Sequence, residues 1–424
     1  MNALIVMLFF VTAFTGFLRY IIAGIQRLST PDLGMKKDYA LLPTLSVLLP
    51  CFNEGEAVYS TIESILASDY PANRLEIVVT DDCSVDDSYE WIQKAEQDFS
   101  GQVRGFKNEL NMGKTRTILN ALARSHSEMV MIVDSDTILA PNAIRELMAC
   151  FADPKMGAVG GPASVRNPND NALTAFQTYL YYLGFRLGKV PESYCQFVGC
   201  IGGYMLAMRR SVLLEVQPKL EARNWFGVKV KDGEDRFLTH QILLAGYKTY
   251  CDMDAECWTT VPNTFKKYWL QQLRWRRSNA RDFFYTIHHL PLHVRTLHWM
   301  SSYVYILTPL VMVISTIQVV VSLLFNPVEW FDPRMALGYI FMSFFIIALI
   351  RRFHPEQALD NPLLLFVYAV WWVANNVFLT PLALMTLDSD GWGNRDKEVQ
   401  PEVQSQQPVA SDPEPAVEQA SLVA

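Results

Sequence analysis

Leu75-Glu76-Ile77-Val78-Val79-Thr80-Asp81-Asp82 is the stretch whose reading decides the fold: an aliphatic and β-branched run of strand length that stops at two carboxylates. The same event occurs twice more. Leu45–Leu49 runs into Pro50-Cys51-Phe52-Asn53-Glu54, and Met129–Val133 runs into Asp134-Ser135-Asp136. Helix-like stretches, Glu56–Ala67 and Lys114–Ala123, lie between these runs. Strands alternating with helices predict βαβ units and a mostly parallel sheet. Such sheets bind ligands beyond the carboxyl ends of their strands, which is where the acidic residues fall. Residues 41–260 are therefore expected to form an α/β domain with an acidic binding edge.

Outside that region the chain changes character. Its 424 residues are 50% hydrophobic and 19% charged, and the apolar residues gather at the two ends. Residues 3–25 are almost wholly apolar, and a transmembrane helix needs about 20 such residues. The positive charges Arg19, Arg27, Lys36 and Lys37 follow this core instead of preceding it. That order marks a cytosolic flank after an anchor at 1–28, with a cleaved signal as the alternative. Beyond Met300 three further spans are expected within 301–390, at 303–325, 335–350 and 363–385, with Arg351 and Arg352 again marking the cytosolic side. The tail 397–424 is rich in Pro, Gln, Glu and Val without periodicity and reads as disordered. A net charge of −7 without a basic stretch excludes nucleic acid as partner. Seven scattered cysteines with no Cys-x-x-Cys pair point to reduced thiols rather than a zinc site.

Several strings carry chemistry, each with a plainer alternative. Asp81-Asp82 and Asp134-Ser135-Asp136 suit a hard divalent cation that also binds diphosphate oxygens, or they cap the following helix or turn. Asn111-Met112-Gly113-Lys114 offers a flexible turn, a cation and a helix start, which suits phosphate. Lys114 is otherwise a solvated helix residue, and the rest of a Walker loop is missing. Asp235 in Gly233-Glu234-Asp235 could act as general base on a hydroxyl, or merely complement the positive end of the next helix. Gln271-Gln272-Leu273-Arg274-Trp275 lies in a stretch, Phe265–Phe284, that mixes aromatics with Lys266, Lys267, Arg274, Arg276 and Arg277. That composition predicts interfacial helices over 261–300. Gln271, Arg274 and Trp275 share one helix face at i, i+3 and i+4, able to hold an anionic leaving group and a sugar ring, or to serve as ordinary interfacial anchors.

Taken in order, Pro-x-x-Asn-Glu, Asp-Asp-x-Ser-x-Asp, Gly-Lys, Asp-x-Asp, Gly-Glu-Asp and Gln-x-x-Arg-Trp resemble the processive family 2 glycosyltransferases, from about residue 42 to 395. The likeness is greatest to the bacterial hyaluronan synthase and chitin-oligosaccharide synthase (NodC-like) branch. It rests on Glu192-Ser193-Tyr194, Cys200-Ile201-Gly202-Gly203, Met208-Arg209-Arg210, Gly233–Thr239, Gln271–Ser278 and Trp392-Gly393-Asn394-Arg395. The resemblance implies a GT-A type cytosolic domain combined with a transmembrane helical region in the inner membrane. It implies a UDP-sugar donor, a growing polysaccharide acceptor and a lipid bilayer as partners.

Residue by residue, the resemblance implies donor contacts at Asn53, Glu54, Asp82, Lys114 and Asp134, and Asp136 as ligand of Mg2+ or Mn2+. It implies Asp235 as catalytic base, Arg274 as stabiliser of departing UDP, and Cys200, Gln271 and Trp275 at the acceptor. The implied reaction is one inverting displacement, β-linked product from α-linked donor, coupled to secretion of an N-acetylglucosamine-containing polymer. A non-processive transferase adding one sugar to a lipid is the alternative. Two departures stand out: Cys83 replaces a glycine usual in Asp-Asp-Gly-Ser, and Gly203 replaces a proline usual after Cys-x-Gly. Neither is expected to touch a catalytic atom.

Overall fold

The structure is a computed structural model. It describes residues 33–230, 232–289 and 374–389, with most of 18–30 and isolated positions between 306 and 371. The expected spans at 3–25, 303–325 and 335–350 fall outside the described residues apart from such isolated positions, and 363–385 is described continuously only from residue 374. Residues 397–424 and Trp392–Arg395 also lie outside them. Among the described residues no helix is long and apolar enough to cross a membrane.

Seven strands form the central sheet: β1 (Leu45–Cys51), β2 (Leu75–Asp81), β3 (Val103–Lys107), β4 (Met129–Ile132), β6 (Met156–Gly160), β8 (Leu206–Arg209) and β11 (Lys248–Cys251). Their order is β11-β6-β8-β4-β1-β2-β3. All neighbours run parallel except β8, which is antiparallel to both β4 and β6. The expected mostly parallel α/β sheet is thus present, with one reversed strand near its middle. Every residue of β1 and β4 is buried, because helices cover both faces. That is why these strands, but for Ser46, read as continuous apolar runs rather than alternating ones. Truncating a fully buried side chain such as Leu48 to alanine would cost roughly 2–5 kcal/mol.

The crossover helices follow from the spacing of their apolar residues. In α1 (Ala57–Leu66) Val58, Thr61, Ile62 and Ile65 form the buried face, and α2 (Ser88–Asp98) buries Ile92 and Ala95. In α3 (Lys114–Ala123) Ile118, Leu119, Ala121 and Leu122 point inward. Then come α4 (Ala143–Ala149), α5 (Ala172–Tyr181), α6 (Val190–Tyr194), α7 (Arg210–Glu221) and α8 (Glu234–Leu244). A small second sheet joins β5 (Thr137–Leu139), β12 (Cys257–Thr259) and β7 (Ala163–Val165) in the order β5-β12-β7. A hairpin of β9 (Asn224–Trp225) and β10 (Val228–Lys229) precedes α8. Of the stretch 261–300 the structure describes 261–289, where it forms one helix, α9 (Phe265–His288), against which α10 (Thr380–Met385) packs.

Strand register decides where the chemistry collects. Cys51 pairs with Asp81, so β1 and β2 end at one level, while β4 ends at Ile132 opposite Leu48 and its continuation, Val133–Asp136, runs on towards the same edge. The reversed β8 begins where β4 ends, since Leu206 pairs with Ile132. Its antiparallel direction brings the preceding Cys200–Met205 loop to the acidic edge.

Candidate active site

The acidic edge divides into an inner, fully used part and an outer, open part. β1 runs through Pro50 to Cys51, further than expected, so the turn begins at Phe52. Asn53 adopts φ +52; its N–H donates to Ser84 Oγ at 2.9 Å, and its Oδ1 accepts from Val85 N at 3.0 Å. Glu54 N–H donates to Ser88 Oγ at 2.8 Å. Asp81 is fully buried and accepts from Ser84 N and Oγ, and burial raises its pKa.

Asp82 is likewise fully buried. Its Oδ1 accepts from Asn108 Nδ2 and Met112 N, both at 2.9 Å, and its Oδ2 from Gly113 N at 2.8 Å. These bonds tie the end of β2 to the turn that starts α3, where Gly113 takes φ +80. A carboxylate at a helix N-terminus satisfies free N–H groups and favours the helix dipole. The plainer reading of Asp82 is therefore what its bonds describe: it shapes the turn that presents Lys114.

Lys114 is no solvated helix residue. Its side chain is 12% exposed, with Nζ 2.6 Å from Asp134 Oδ1 and 2.8 Å from Glu234 Oε1. Burial alone would lower its pKa, but Asp134, Glu234 and Asp235 outweigh that and hold it above the usual lysine range. Glu234 and Asp235 open α8 after Gly233, whose φ is +68. A Cβ at Gly233 would lie 2.0 Å from Ser278 Oγ of α9, so only glycine allows this approach. The two carboxylates diverge. Glu234 is driven up by burial but falls below its ordinary value through its contact with Lys114. Asp235 is raised by burial and by the charge of Glu234. A buried carboxylate of raised pKa is a stronger proton acceptor, suited to general-base work.

One expectation needs correcting here. Gly203 was expected not to touch a catalytic atom, yet its N–H donates to Asp235 Oδ2 at 3.3 Å. A Cβ at Gly203 would stand 2.8 Å from Lys114 Nζ. Proline has no N–H to give, so this departure bears directly on how Asp235 is held. The other departure, Cys83, takes φ +64, the left-handed region that glycine enters freely and other residues only under strain. Its side chain points away, with Sγ 3.6 Å from Glu109 O.

Tyr204, the residue after Gly203, belongs to a group of packed aromatic rings. A π-helical turn, Tyr182–Arg186, continues α5, and Tyr181 meets Phe185 with ring centroids 4.9 Å apart. Trp275 lies 6.2 Å from Tyr181 and 6.0 Å from Phe185, and Tyr204 lies 5.6 Å from Phe185. Gln271 hydrogen-bonds Tyr181, and its Oε1 is buried with no hydrogen-bond partner among the described residues. Burial, with Asp136 close by, holds the Tyr181 phenol above its ordinary range, so it stays a neutral hydrogen-bonding group. Arg274 acts electrostatically on both Glu234 and Tyr181. Burial and Asp235 push the Cys200 thiol up to about 12, so it is no nucleophile. The structure thus gathers Lys114, Asp134, Asp235, Cys200, Gln271, Arg274 and Trp275, and adds Glu234, Gly203, Tyr181, Phe185 and Tyr204. Asn53, Glu54 and Asp82 lie in the adjoining turn network.

The family model described as glycosyltransferase-like family 2 matches residues 43–278, more than half of the chain. The chain belongs to glycosyltransferase family 2. This glycosyltransferase is 34% identical over 254 residues to an N-acetylglucosaminyltransferase of Rhizobium sp. (strain N33), covering 59% of this chain and 56% of that protein. It thus spans little more than half the length of that relative. It is 28% identical over 381 residues to the hyaluronan synthase of Streptococcus pyogenes, covering 88% of this chain and 87% of the synthase. Its fold matches that of a mannosyltransferase from Pyrobaculum calidifontis in complex with GDP-Man and Mn2+, with a TM-score of 0.59 at 20% identity over 89% of this chain and 98% of the other. The α/β domain is thus of the GT-A type.

The residues that would fit a divalent cation are Asp134 and Asp136. Asp134 is about one third exposed, and Asp136 lies beside Thr259 Oγ1 at 3.5 Å. Among the described residues no group of three or more His, Cys, Asp and Glu could hold a metal unaided. Two carboxylates at an open rim suit a cation whose shell is completed by substrate phosphates and water.

Proposed function

We propose that this enzyme is a processive, inverting β-glycosyltransferase that builds an N-acetylglucosamine-containing polysaccharide from UDP-sugars at the cytosolic face of the membrane. The single observation that carries the reading is the placement of Asp235. Its carboxylate lies beside the Lys114–Asp134–Glu234 ion cluster and accepts from Gly203 N, and the next residue, Tyr204, belongs to the aromatic group of Phe185, Tyr181 and Trp275. The carboxylates of the cluster outnumber Lys114, so that side suits a diphosphate together with a divalent cation; the aromatic group offers flat rings, with the buried Gln271 amide beside it, for a sugar chain. The names of the two relatives support N-acetylglucosamine in the donor set.

In this reading Asp235, oriented by the Gly203 and Arg236 N–H groups, takes the proton of the acceptor hydroxyl as its oxygen attacks the anomeric carbon. Arg274 and Lys114 offset charge growing on the leaving diphosphate, the electrostatic strategy of preorganised sites. A Mg2+ or Mn2+ ion held by Asp136 and Asp134 would supply further Lewis-acid stabilisation of the diphosphate. Asp82, Asn53 and Glu54 shape the donor-side loops, while Cys200 and Gln271 border the acceptor. The apolar stretches at 3–25, 303–325, 335–350 and 363–385 support membrane embedding and export of the product. The packing of Thr386–Ser389 on Arg277 and Arg281 sets the end of the last stretch on the catalytic side, so the expected three stretches after Met300 do not make an odd number of crossings.

The test is UDP release and product sizing by detergent-purified full-length protein given UDP-N-acetylglucosamine alone and paired with UDP-glucuronic acid. Polymer is expected from one of these mixtures; a product lengthened by a single sugar would refute processivity. Asp235→Asn is expected to lower turnover by roughly 10²–10⁴-fold, the usual contribution of a general base, with donor affinity retained. Near-normal polymer from that variant would remove Asp235 from the mechanism.

A further inference from the structure

The turn carrying Glu234 and Asp235 is gripped from behind by a residue that contacts neither. Arg281 lies on the buried face of α9 and is 5% exposed. Its Nη1 donates to Asp232 Oδ1, in the residue just ahead of Gly233. On its other side Nε donates to Leu387 O at 3.0 Å and Nη2 to Ser389 O at 2.8 Å. One planar guanidinium therefore joins α9, the turn before α8 and the chain just after α10. Lysine cannot reproduce such a fork, since it offers a point charge on a flexible stem.

The surroundings leave this grip little slack. Asp232 is 1% exposed, and its carbonyl accepts from Arg223 Nη1 at 2.7 Å. Gly233 rests on Ser278, one helical turn before Arg281, so closely that no Cβ would fit. Arg277, on the same helix, donates from Nε to Thr386 Oγ1 at 3.0 Å. The segment so held, Thr386–Ser389, directly follows the apolar stretch expected to form the last span.

We propose that Arg281 is a positioning residue that couples segment 386–389, at the membrane-proximal end of α10, to the placement of the Asp235 turn. The inference rests on the reading of Asp235 as the base. Displacing the carbonyls of Leu387 and Ser389 moves the guanidinium, and the guanidinium carries Asp232 and the turn with it. Turnover then responds to the state of the C-terminal segment, while the donor pocket around Gly113 is left alone.

The experiment compares Arg281→Met, Arg281→Lys and Thr386→Val in the purified full-length chain. Thr386→Val removes an acceptor on the far side and touches no part of the turn. The readouts are kcat and KM for UDP release, donor affinity by calorimetry, and hydrogen exchange of peptides spanning 232–238 and 380–389. Arg281→Met is expected to cut kcat by about tenfold, as misplacement of a reacting group by a fraction of an ångström does, with donor affinity within about twofold. Exchange should rise together in both peptides while β1 and β4 stay protected. Thr386→Val should shift the same quantities in the same direction by less. Arg281→Lys should restore protection of 232–238 but not of 380–389. Exchange rising in only one segment of Arg281→Met, or kcat unchanged while both loosen, overturns the coupling. So does a proportional loss of kcat, donor affinity and β1 protection, which would mark plain destabilisation. If the wild-type chain releases no UDP from any UDP-sugar, the proposed activity fails, and the exchange measurements alone decide the coupling.

Discussion

Lys114→Met is the perturbation whose consequence the structure defines best. It keeps most of the side chain's volume and removes the cation that pairs directly with Asp134 and Glu234. Removing one partner of a buried ion pair costs roughly 3–5 kcal/mol, because the other charge stays buried without compensation. Glu234 bears most of that cost, with a side chain 11% exposed and Arg274 still acting on it, whereas Asp134, at 34%, regains water. The expected loss at neutral pH is therefore near the lower bound, about 3 kcal/mol. At about 2–4 °C per kcal/mol for a domain of this size, Tm falls by roughly 6–12 °C. The loss must also depend on pH. Glu234, with a depressed pKa, contributes stability that is present above the ordinary carboxylate range and lost as pH falls through its folded value. Lys114, with a raised pKa, contributes below the ordinary lysine range and fades only as pH rises through its folded value. Between these limits both contributions are complete, so the gap between wild type and variant is widest around neutrality. It narrows towards pH 5, where Glu234 and Asp235, buried without Lys114, take up protons and relieve the variant. Unfolding followed by tryptophan fluorescence at pH 5, 6, 7 and 8 measures this directly. A gap independent of pH, or none at pH 7, would refute the argument that Lys114 is held by charge.

Three further outcomes follow from single residues. Asp82→Asn places an amide donor against the N–H groups of Met112, Gly113 or the Asn108 amide. It should destabilise by about 1–3 kcal/mol and raise the donor KM more than it lowers kcat; unchanged KM and Tm would dismiss the turn-shaping account. Cys83→Gly relieves a left-handed residue at φ +64 and should stabilise by roughly 0.5–1 kcal/mol in unfolding measurements, whereas a lower Tm would show the strain to be absent. Cys200, with its thiol pushed from 9.0 up to about 12, holds about a thousandfold less thiolate at pH 8 than an unperturbed thiol. Cys200 is partly exposed, so site-resolved alkylation at pH 8 should label it far more slowly than a small free thiol in the same solution, and an equal rate would count against the effect of its surroundings on the thiol.

Much of the fold was legible because parallel strands buried on both faces must be apolar throughout. Met129–Ile132 obeys that rule, Leu45–Cys51 does so but for Ser46, and Leu75–Asp81 but for Glu76 and Thr80, and the carboxylates at or just beyond their ends mark the ligand edge. Helix α3 begins at Lys114, as read, because Gly113 and the Asp82 contacts define its start locally. What could not be read depends on contacts between distant segments. Nothing in Leu206–Arg209 announces that it runs backwards between β4 and β6, and that reversal alone brings Gly203 to Asp235. Glu234 was passed over for Asp235 because adjacent carboxylates look alike until one of them finds Lys114. The aromatic group escaped notice for a related reason: Tyr181 and Phe185 sit at helical spacing that suits any packed core. Their i, i+4 spacing beside the Gln271 face was the available signal.

The reversed β8 also sets an order of events in biosynthesis. Strands β1 to β4 form one contiguous block of sequence, so they can pair as soon as they leave the ribosome. β4 then waits with an open, wholly apolar edge until Leu206–Arg209 has been made, and β6 has no place in the main sheet before that moment. An unpaired buried-type edge is a template for wrong partners. The nascent chain is thus most prone to aggregation during synthesis of the α4–α6 region, and substitutions that slow the seating of β8 should lower the yield of folded enzyme before they alter its catalysis.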